Sequence, residues 1–200
     1  MLKIFRPALV LMMLFTLMTG LLYPLVLTAL AQVAFPFAAN GSLLTSEGKV
    51  VGSALIGQQF TSDRYFHGRP SATSAPDPND DGKTVEAPYN AAASAGSNLG
   101  PLSMKLMARL EADAERLRGE AGSRIAADAV TTSASGLDPH ISRAYALLQI
   151  ERVAKARQLP AERVRLLVDA AVERPWLGLV GEVRINVLHL NMALDRLKQT

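Results

Sequence analysis

Cysteine is absent from this chain of 200 residues. Disulfide bonds, thiolate metal sites and a cysteine nucleophile are therefore excluded, although the compartment stays open because a domain of this size can fold outside the cell without bridges. The three histidines, His67, His140 and His189, are isolated in the sequence, so we expect no metal site. The sequence also lacks a G-x-x-x-x-G-K-[ST] motif, so we expect no P-loop nucleotide site.

An excess of one charge is also missing from most of the chain. The net charge is +3, and Lys3 and Arg6 supply two of the 21 basic residues. The rest of the chain therefore carries 19 basic against 18 acidic side chains. No basic stripe with interleaved aromatic residues is present, so the sequence does not indicate a nucleic-acid-binding protein.

Charge is absent altogether between Arg6 and Glu47. The apolar run from Pro7 to Ala31 would form a helix of about 37 Å, enough to cross a hydrocarbon core of about 30 Å. The alternative is a cleaved signal peptide, because Ala29-Leu30-Ala31 has the small-x-small form of a cleavage site. Signal h-regions span only about 7–15 residues, so we predict a retained transmembrane helix over residues 7–31.

The two cations ahead of this helix predict its orientation. Positive charge is retained on the cytoplasmic side, so we expect residues 1–6 in the cytoplasm and residues 32–200 outside it. Pro24 lacks an N–H and crowds the carbonyl of Gly20, which predicts a kink near Gly20. Thr16 and Gly20 form a small-xxx-small face suited to packing on another membrane helix, although Gly and Pro are also common in membrane helices generally.

The segments after the membrane helix predict an α+β domain of about four helices packed on a small sheet. Residues 42–60 read as a β-hairpin that turns at Glu47-Gly48. Residues 70–100 are rich in Pro, Ser, Asn, Asp, Gly and Ala, a composition typical of a functional loop or a disordered one. Further strands are predicted over residues 124–134 and 177–185.

Helical periodicity indicates the four helices of this domain. Their predicted starts are Pro101, Pro139, Pro160 and Asn186. The first is expected to stop at Gly119, and the second to run to about Gln158 with Asp138 as its N-cap. The single tryptophan, Trp176, is expected to anchor a core or an interface.

The stretch TTSASGLDPHIS, residues 131–142, admits three interpretations. It is a helix cap, an anion site in which a Ser/Gly-rich loop leads into a helix N-terminus, or a hydrolase site built from Ser133 or Ser135 with Asp138 and His140. For the hydrolase, Asp138 and His140 are expected to face different directions, which a catalytic triad does not tolerate. A G-x-S-x-G elbow is also missing.

Several blocks together resemble a known family. They are SLLTSEGKVVGSALIGQQF, YFHGRPSA, GSNLGP, TTSASGLDPHIS, ALLQIERVAKAR and LGLVGEVRINVLHLNMALD. In this order behind one membrane helix, they resemble the C subunits of the Kdp potassium-transporting P-type ATPases, the KdpC family. The resemblance covers nearly the whole chain.

The resemblance implies a non-catalytic subunit of a high-affinity potassium uptake complex in the bacterial inner membrane. Its implied partners are an ATP-hydrolysing subunit, a channel-like subunit and, as a further candidate, a small single-helix subunit. Such C subunits are described as aiding assembly and as catalytic chaperones that raise the affinity for ATP. The resemblance points to these candidate ATP or anion contacts: Ser133, Ser135, Gly136, Asp138, His140 and Gln149.

The charge pattern and the implied ATP contact disagree. The two N-terminal cations predict an external domain, where ATP is scarce, while a P-type pump hydrolyses ATP in the cytoplasm. We therefore expect an indirect effect on ATP use from a domain over the potassium entrance. The alternatives are a cover or filter at that entrance, a membrane-anchored external hydrolase, and an external solute-binding module.

Overall fold

A computed structural model describes residues 2–121, 124–175 and 178–197 of the chain. Two compact units make up the chain, Met1–Val51 and Gly52–Thr200. Trp176 and the first residue of the strand predicted over residues 177–185 lie outside the described residues, so the prediction for Trp176 stays a prediction.

The first unit contains the predicted apolar helix. It is longer than predicted, with α1 over Leu2–Leu17, a π-helical turn over Met18–Leu22, and α2 over Tyr23–Ala34. Within the described residues, Lys3–Ala34 is the one helix that is long and apolar enough to cross a membrane. A kink is predicted near Gly20, and the structure has a π turn at that place; the bend itself stays a prediction. Pro24 has no N–H for the carbonyl of Gly20, and the N–H of Tyr23 bonds Met18 five residues back.

After a short helix α3 (Pro36–Ala39), the chain forms the predicted β-hairpin. Strand β1 covers Leu43–Ser46 and β2 covers Lys49–Ser53. The turn residues Glu47 and Gly48 have φ of 52° and 77°, the pair of positive angles that a type I′ turn requires. The hairpin is shorter than residues 42–60 because the chain turns away after Ser53.

The second unit confirms the α+β class. Its sheet has the order β5 (His140–Ile141), β7 (Arg184–Asn186), β6 (Val172–Glu173), and all pairs are antiparallel. Helices α6 (Arg143–Leu148), α7 (Ile150–Arg157), α8 (Ala161–Ala170) and α9 (Val187–Arg196) accompany it. The largest fully buried apolar side chains are Phe66, Ile141, Ile150, Ile185, Leu190 and Leu194.

Two of the four predicted helix starts, at Pro160 and Asn186, are within one residue of the observed starts, and the other two are not. Helix α9 begins after Asn186, whose side chain accepts from the N–H of His189 at 3.1 Å, as an N-cap should. Pro160 is the N-cap of α8 rather than its first residue. Helix α4 covers Met104–Ala121, so it begins three residues after Pro101 and passes Gly119.

The helix predicted from Pro139 is wrong at its start and in its middle. Residues 140–141 form β5, which pairs with β7, and the carbonyl of Pro139 accepts from the N–H of Val187 at 2.9 Å. These long-range bonds hold the backbone extended, so the helix begins only at Arg143, with Ser142 as its N-cap. It then breaks at Gln149 into α6 and α7.

The strand predicted over residues 124–134 is also wrong. The described part of that segment contains a single helical turn, α5 (Ala127–Val130). Alanines favour helix, and the Thr131 hydroxyl donates to the carbonyl of Ala127 at 2.8 Å. No neighbouring strand among the described residues pairs with this segment.

Residues 70–100 are ordered mainly by side chains that bond to the backbone. A small hairpin, β3 (Ser74–Pro76) with β4 (Thr84–Glu86), is their only described pair of strands. The buried Thr73 hydroxyl donates to the carbonyl of Ala87 at 2.6 Å, and Asn90 Nδ2 donates to the carbonyl of Ser74 at 2.7 Å. In most of this segment, hydrogen bonds from polar side chains hold the backbone in place of a strand or a helix.

Candidate functional site

The 131–139 loop is fixed by hydrogen bonds to three other segments. Ser71 Oγ donates to the carbonyl of Gly136 at 2.7 Å, and the N–H of Ala95 donates to the carbonyl of Ser135 at 3.0 Å. The N–H of Gly57 donates to the carbonyl of Leu137 at 2.8 Å. A loop with so many backbone groups bonded from outside has little freedom to rearrange.

Gly136 is required where it stands. Its φ is 69°, in the left-handed region that costs other residues energy. A Cβ at this position would lie 2.5 Å from Thr73 Cγ2 and 2.7 Å from the carbonyl oxygen of Ala95. Gly136 therefore serves close packing of the loop, and its own contribution to any ligand could come only from its backbone.

Asp138 joins the loop to the segment containing Arg69. Its Oδ2 lies 3.2 Å from Arg69 Nη1, and its Oδ1 accepts from the N–H of His140 at 3.0 Å. Arg69 Nη2 donates to the carbonyl of Thr132 at 3.2 Å, at the other end of the loop. Asp138 thus caps a turn and pairs with Arg69, instead of capping a helix as the sequence predicts.

Opposing influences act on the ionisation of Asp138. Burial raises its pKa, but hydrogen bonds from the side chain and backbone of His140 and electrostatic interactions with His140 and Arg69 outweigh burial. The net result is a pKa below the ordinary value of an aspartate. Asp138 is therefore ionised at neutral pH and available to its two partners.

His140 lies between two carboxylates. Its Nδ1 is 3.3 Å from Asp138 Oδ1, so the prediction that these side chains face different directions is wrong. The turn formed by Asp138 brings them together. The other ring nitrogen of His140, Nε2, lies 3.8 Å from Glu173 Oε2. This carboxylate oxygen also accepts a hydrogen bond from Arg184 Nε at 3.0 Å.

The serines of the loop do not complete a catalytic triad in the described part of the chain. Ser135 Oγ accepts from the N–H of Leu137 at 3.1 Å, and Ser133 is buried. The second nitrogen of His140 faces Glu173. A triad needs that nitrogen to take a proton from a hydroxyl, so this arrangement does not support nucleophilic hydrolysis.

The helix N-terminus near this loop is occupied by a carboxylate of the chain itself. Asp128 accepts from the N–H of Ser142 at 2.6 Å and from its hydroxyl at 2.8 Å. Ser142 Oγ in turn accepts from the N–H of Tyr145 at 3.0 Å. The position that an external anion would take at the start of α6 is therefore held by Asp128.

Gln149 is buried at the break between α6 and α7, and both its amide oxygen and its amide nitrogen are hydrogen-bonded. Its Oε1 accepts from the N–H of His67 at 2.7 Å and from Arg152 Nη2 at 2.7 Å, while its Nε2 donates to the carbonyl of His67 at 3.1 Å. The Asn191 side chain binds the backbone of Phe66 in the same way: its Oδ1 accepts from the N–H of Phe66 at 2.8 Å, and its Nδ2 donates to the carbonyl of Phe66 at 3.0 Å. Two buried amides thus replace a neighbouring strand for the irregular YFH segment.

Four of the six predicted site residues line one or both of two cavities. Asp138 and His140 line a cavity of about 480 Å³ together with Arg69, Asp128 and Glu182. Ser133, Ser135 and Asp138 line another of about 590 Å³ with Arg69 and Leu55. Gln149 lines neither. Across the described residues, no group of three or more His, Asp or Glu is arranged to hold a metal ion.

Three residues that organise this region were missed in the sequence: Arg69, Asp128 and Asn191. Each acts across a long sequence distance, and no local motif marks any of them. Arg69 could have been noticed as the one cation in the polar YFHGRPSA block, which is otherwise short of charge. For Asp128 and Asn191 the sequence carries no comparable signal.

Comparison with known proteins gives a consistent result over almost the whole chain. The family model described as KdpC, K+-transporting ATPase, c chain, matches residues 5–196. A potassium-transporting ATPase KdpC subunit of Methylobacterium nodulans is 61% identical over 198 residues, 98% of each chain. Proteins of the same name from Bradyrhizobium diazoefficiens and Rhodopseudomonas palustris are 58% and 59% identical, again over 98% of each chain.

Proposed function

Because the chain belongs to the KdpC family, the c chain of the K+-transporting ATPase, we propose that it is a membrane-anchored helper that assists the pump from the outer side. It is an accessory subunit of a potassium-transporting ATPase and not an enzyme by itself. The observation that carries the proposal is the long apolar helix that carries Lys3 and Arg6 at its N-terminal end, has no charged residue after Arg6, and precedes a folded domain.

The helix anchors the chain in the inner membrane with its N-terminus in the cytoplasm. Side chains from Lys3 to Leu30 are exposed, and most of them are apolar. Such a surface is stable only in lipid or against other apolar helices. The cations at its N-terminal end favour the orientation with residues 32–200 on the extracytoplasmic side.

One face of this helix packs on another subunit. Thr16 and Gly20 leave space for close approach, and nothing lies within 4 Å of a Cβ placed at Gly20. The proposed partners are the channel-like and ATP-hydrolysing subunits, with a small single-helix subunit as a further one. Gly20→Leu and Thr16→Leu should therefore reduce copurification with the large subunits, whereas Thr28→Leu, which makes the same Thr-to-Leu change in α2, should not.

The chain raises the use of ATP indirectly, by favouring one conformational state of the pump over another. Two contacts support this proposal over a direct one. The amide of Gln149 is taken up by the backbone of His67, and Asp128 occupies the start of α6. Both positions that would attract a nucleotide are therefore satisfied within the chain. A domain that covers or filters the potassium entrance is compatible with this role.

Direct contact with ATP or another anion is the competing proposal. The cavities beside Ser133, Ser135, Asp138 and His140 favour it, because Arg69 lines both of them. Calorimetry of the full-length chain in detergent micelles with ATP separates the two proposals. We expect no heat of ATP binding in this experiment. In a separate assay of potassium-stimulated ATP hydrolysis, the complex that lacks this chain should need a higher concentration of ATP. Binding that is lost in Arg69→Gln would instead establish the direct contact.

A further inference from the structure

The helix proposed as the membrane anchor is longer than a bilayer core is thick. From Pro7 to the end of α2 at Ala34, it measures about 42 Å at 1.5 Å per residue, whereas the hydrocarbon core spans about 30 Å. Arg6 limits insertion at the N-terminal end, and the next charged residue is Glu47. The excess of about 12 Å therefore either extends beyond the far side of the bilayer or is taken up by tilt.

The apolar surface continues past the end of α2. Val33 is 86% exposed in the last turn of that helix, and Phe35 and Phe37, which follow it, are 68% and 58% exposed. We call residues 33–40 the outer segment. Its one polar side chain is Asn40. Large apolar side chains exposed in such a series mark a surface that is covered in the working protein.

The chain changes direction at the start of the outer segment. Pro36 has no N–H to donate to the carbonyl of Gln32, so the helix cannot continue, and Phe35 takes φ of −138° and ψ of 57°. Pro36 then begins α3. Asn40 Nδ2 donates to Gln32 Oε1 at 2.9 Å, and Gln32 Nε2 donates to Asn40 Oδ1 at 3.3 Å. This pair of amides holds the end of α3 beside the last turn of α2.

The backbone of the outer segment forms its hydrogen bonds locally. The N–H groups of Phe35, Ala39 and Asn40 donate to the carbonyls of Ala31, Phe35 and Pro36, at 2.8, 2.9 and 3.2 Å. Each acceptor lies four residues back, as in a helix. Because an unpaired backbone group is strongly unfavourable in hydrocarbon, this pattern allows the segment to enter lipid without a partner that supplies hydrogen bonds.

We propose that the outer segment lies in the outer boundary of the bilayer, with Val33, Phe35 and Phe37 among the acyl chains and the Gln32–Asn40 amide pair at the level of the headgroups. The proposal rests on the membrane anchoring proposed above and specifies where the anchor ends. Lipid is favoured as the occupant because the segment continues the transmembrane helix, carries no charge and needs no backbone partner. Phenylalanine is also a typical lipid-facing residue of segments that lie in this boundary.

This placement constrains the tilt of the whole helix. With Arg6 at one boundary and the outer segment at the other, a straight stretch of about 42 Å crosses about 30 Å only at a tilt of about 45°. Transmembrane helices tilt by about 0–40°, and the Arg6 side chain can reach the headgroups from a deeper backbone position. The outer segment thus fixes a strongly tilted helix, and with it the depth at which Thr16 and Gly20 meet a partner.

Depth measurements on the full-length chain test the proposal. In a Trp176→Phe background, a single tryptophan replaces Phe37, Leu21 at the middle of the helix, or Val50 in β2. Each variant is reconstituted in vesicles of phosphatidylethanolamine and phosphatidylglycerol that contain a nitroxide lipid, and its circular dichroism should match that of the unmodified chain.

The three positions should differ in their quenching. Phe37→Trp should be quenched severalfold more by a nitroxide near the headgroup end of the acyl chain than by one near its methyl end, and Leu21→Trp should show the reverse order. Val50→Trp is the matched control in water, because Val50 is exposed beside Lys49. It should be quenched by acrylamide and by neither lipid.

A second measurement uses the assembled ATPase in native membranes and keeps Trp176. Benzoylphenylalanine is incorporated at position 37, a change that preserves the aromatic ring, and the membranes are irradiated. The chain should gain the mass of a phospholipid and should form no crosslink to another subunit.

The outcomes separate this proposal from the anchoring on which it rests. If Phe37→Trp behaved like Val50→Trp, or if position 37 crosslinked to another subunit, the placement of the outer segment in lipid would be wrong while the anchor remained. If Leu21→Trp also escaped quenching by both lipids, the membrane anchoring itself would be contradicted.

Discussion

Replacing Gly136 by alanine is the sharpest perturbation of the 131–139 loop. The backbone at this position has φ of 69°, and a left-handed conformation costs an alanine about 1–2 kcal/mol. The new methyl group would also lie 2.5 Å from Thr73 Cγ2 and 2.7 Å from the carbonyl oxygen of Ala95. Such overpacking costs about 1–3 kcal/mol, so the total loss should be about 2–5 kcal/mol.

Two other glycines separate these contributions. Gly178 has φ of 73° with nothing within 4 Å of a Cβ, so Gly178→Ala should lose only about 1–2 kcal/mol for the backbone. Gly119 lies inside α4 in open space, so Gly119→Ala should gain about 0.5–1 kcal/mol. The difference in stability between Gly136→Ala and Gly178→Ala isolates the cost of the steric clash.

The assay is urea unfolding of the full-length chain in detergent micelles, followed by circular dichroism. From most to least stable, the order should be Gly119→Ala, the unmodified chain, Gly178→Ala and Gly136→Ala. If Gly136→Ala lost no more than Gly178→Ala, the loop would be free to move away from Thr73. The close packing inferred for the whole loop would then be wrong.

Three further predictions concern the contacts around the same loop. Ser142→Ala removes the N-cap of α6 and should cost about 1 kcal/mol in the free energy of unfolding, measured by the same urea titration. Asn191→Leu leaves both backbone groups of Phe66 buried and unpaired, so it should cost about 2–6 kcal/mol in that titration. The pKa of Asp138 is lowered in the folded chain. The ionised carboxylate therefore contributes fully to the free energy of unfolding above about pH 4, and this contribution disappears as the pH falls through the lowered pKa. The loss of unfolding free energy caused by Asp138→Asn should therefore be larger at pH 7 than at pH 3. An equal loss at both pH values would mean that the charge of Asp138 contributes nothing.

Local signals in the sequence predicted the elements that depend on local physics. The apolar run requires a helix. Gly48 permits the positive φ that the hairpin turn needs, and the Asn186 side chain caps the helix that follows it. Pro24 likewise locates the irregularity of the membrane helix. These elements agree with the sequence because no distant residue decides their conformation.

Long-range pairing decided the elements that the sequence did not predict. Asp138-Pro139 has the composition of a helix start, but pairing with β7 holds residues 140–141 extended and moves the cap to Ser142. Gln149 appears in the sequence as one residue of a helix, whereas its burial against His67 ends α6 there. Similarly, the pairing of Arg69 with Asp138 joins residues 69 positions apart, a distance over which periodicity carries no information.

The side of the membrane on which the folded domain lies is the central claim of the proposed function. Because the chain has no cysteine, a single Ala134→Cys in the exposed part of the loop can be labelled selectively in intact spheroplasts with a membrane-impermeant thiol reagent. The account predicts immediate labelling of this variant, while a cysteine at position 2 is labelled only after the membrane is permeabilised. Protection of Ala134→Cys in intact spheroplasts, with labelling at position 2, would place the domain in the cytoplasm and contradict the proposed action from outside.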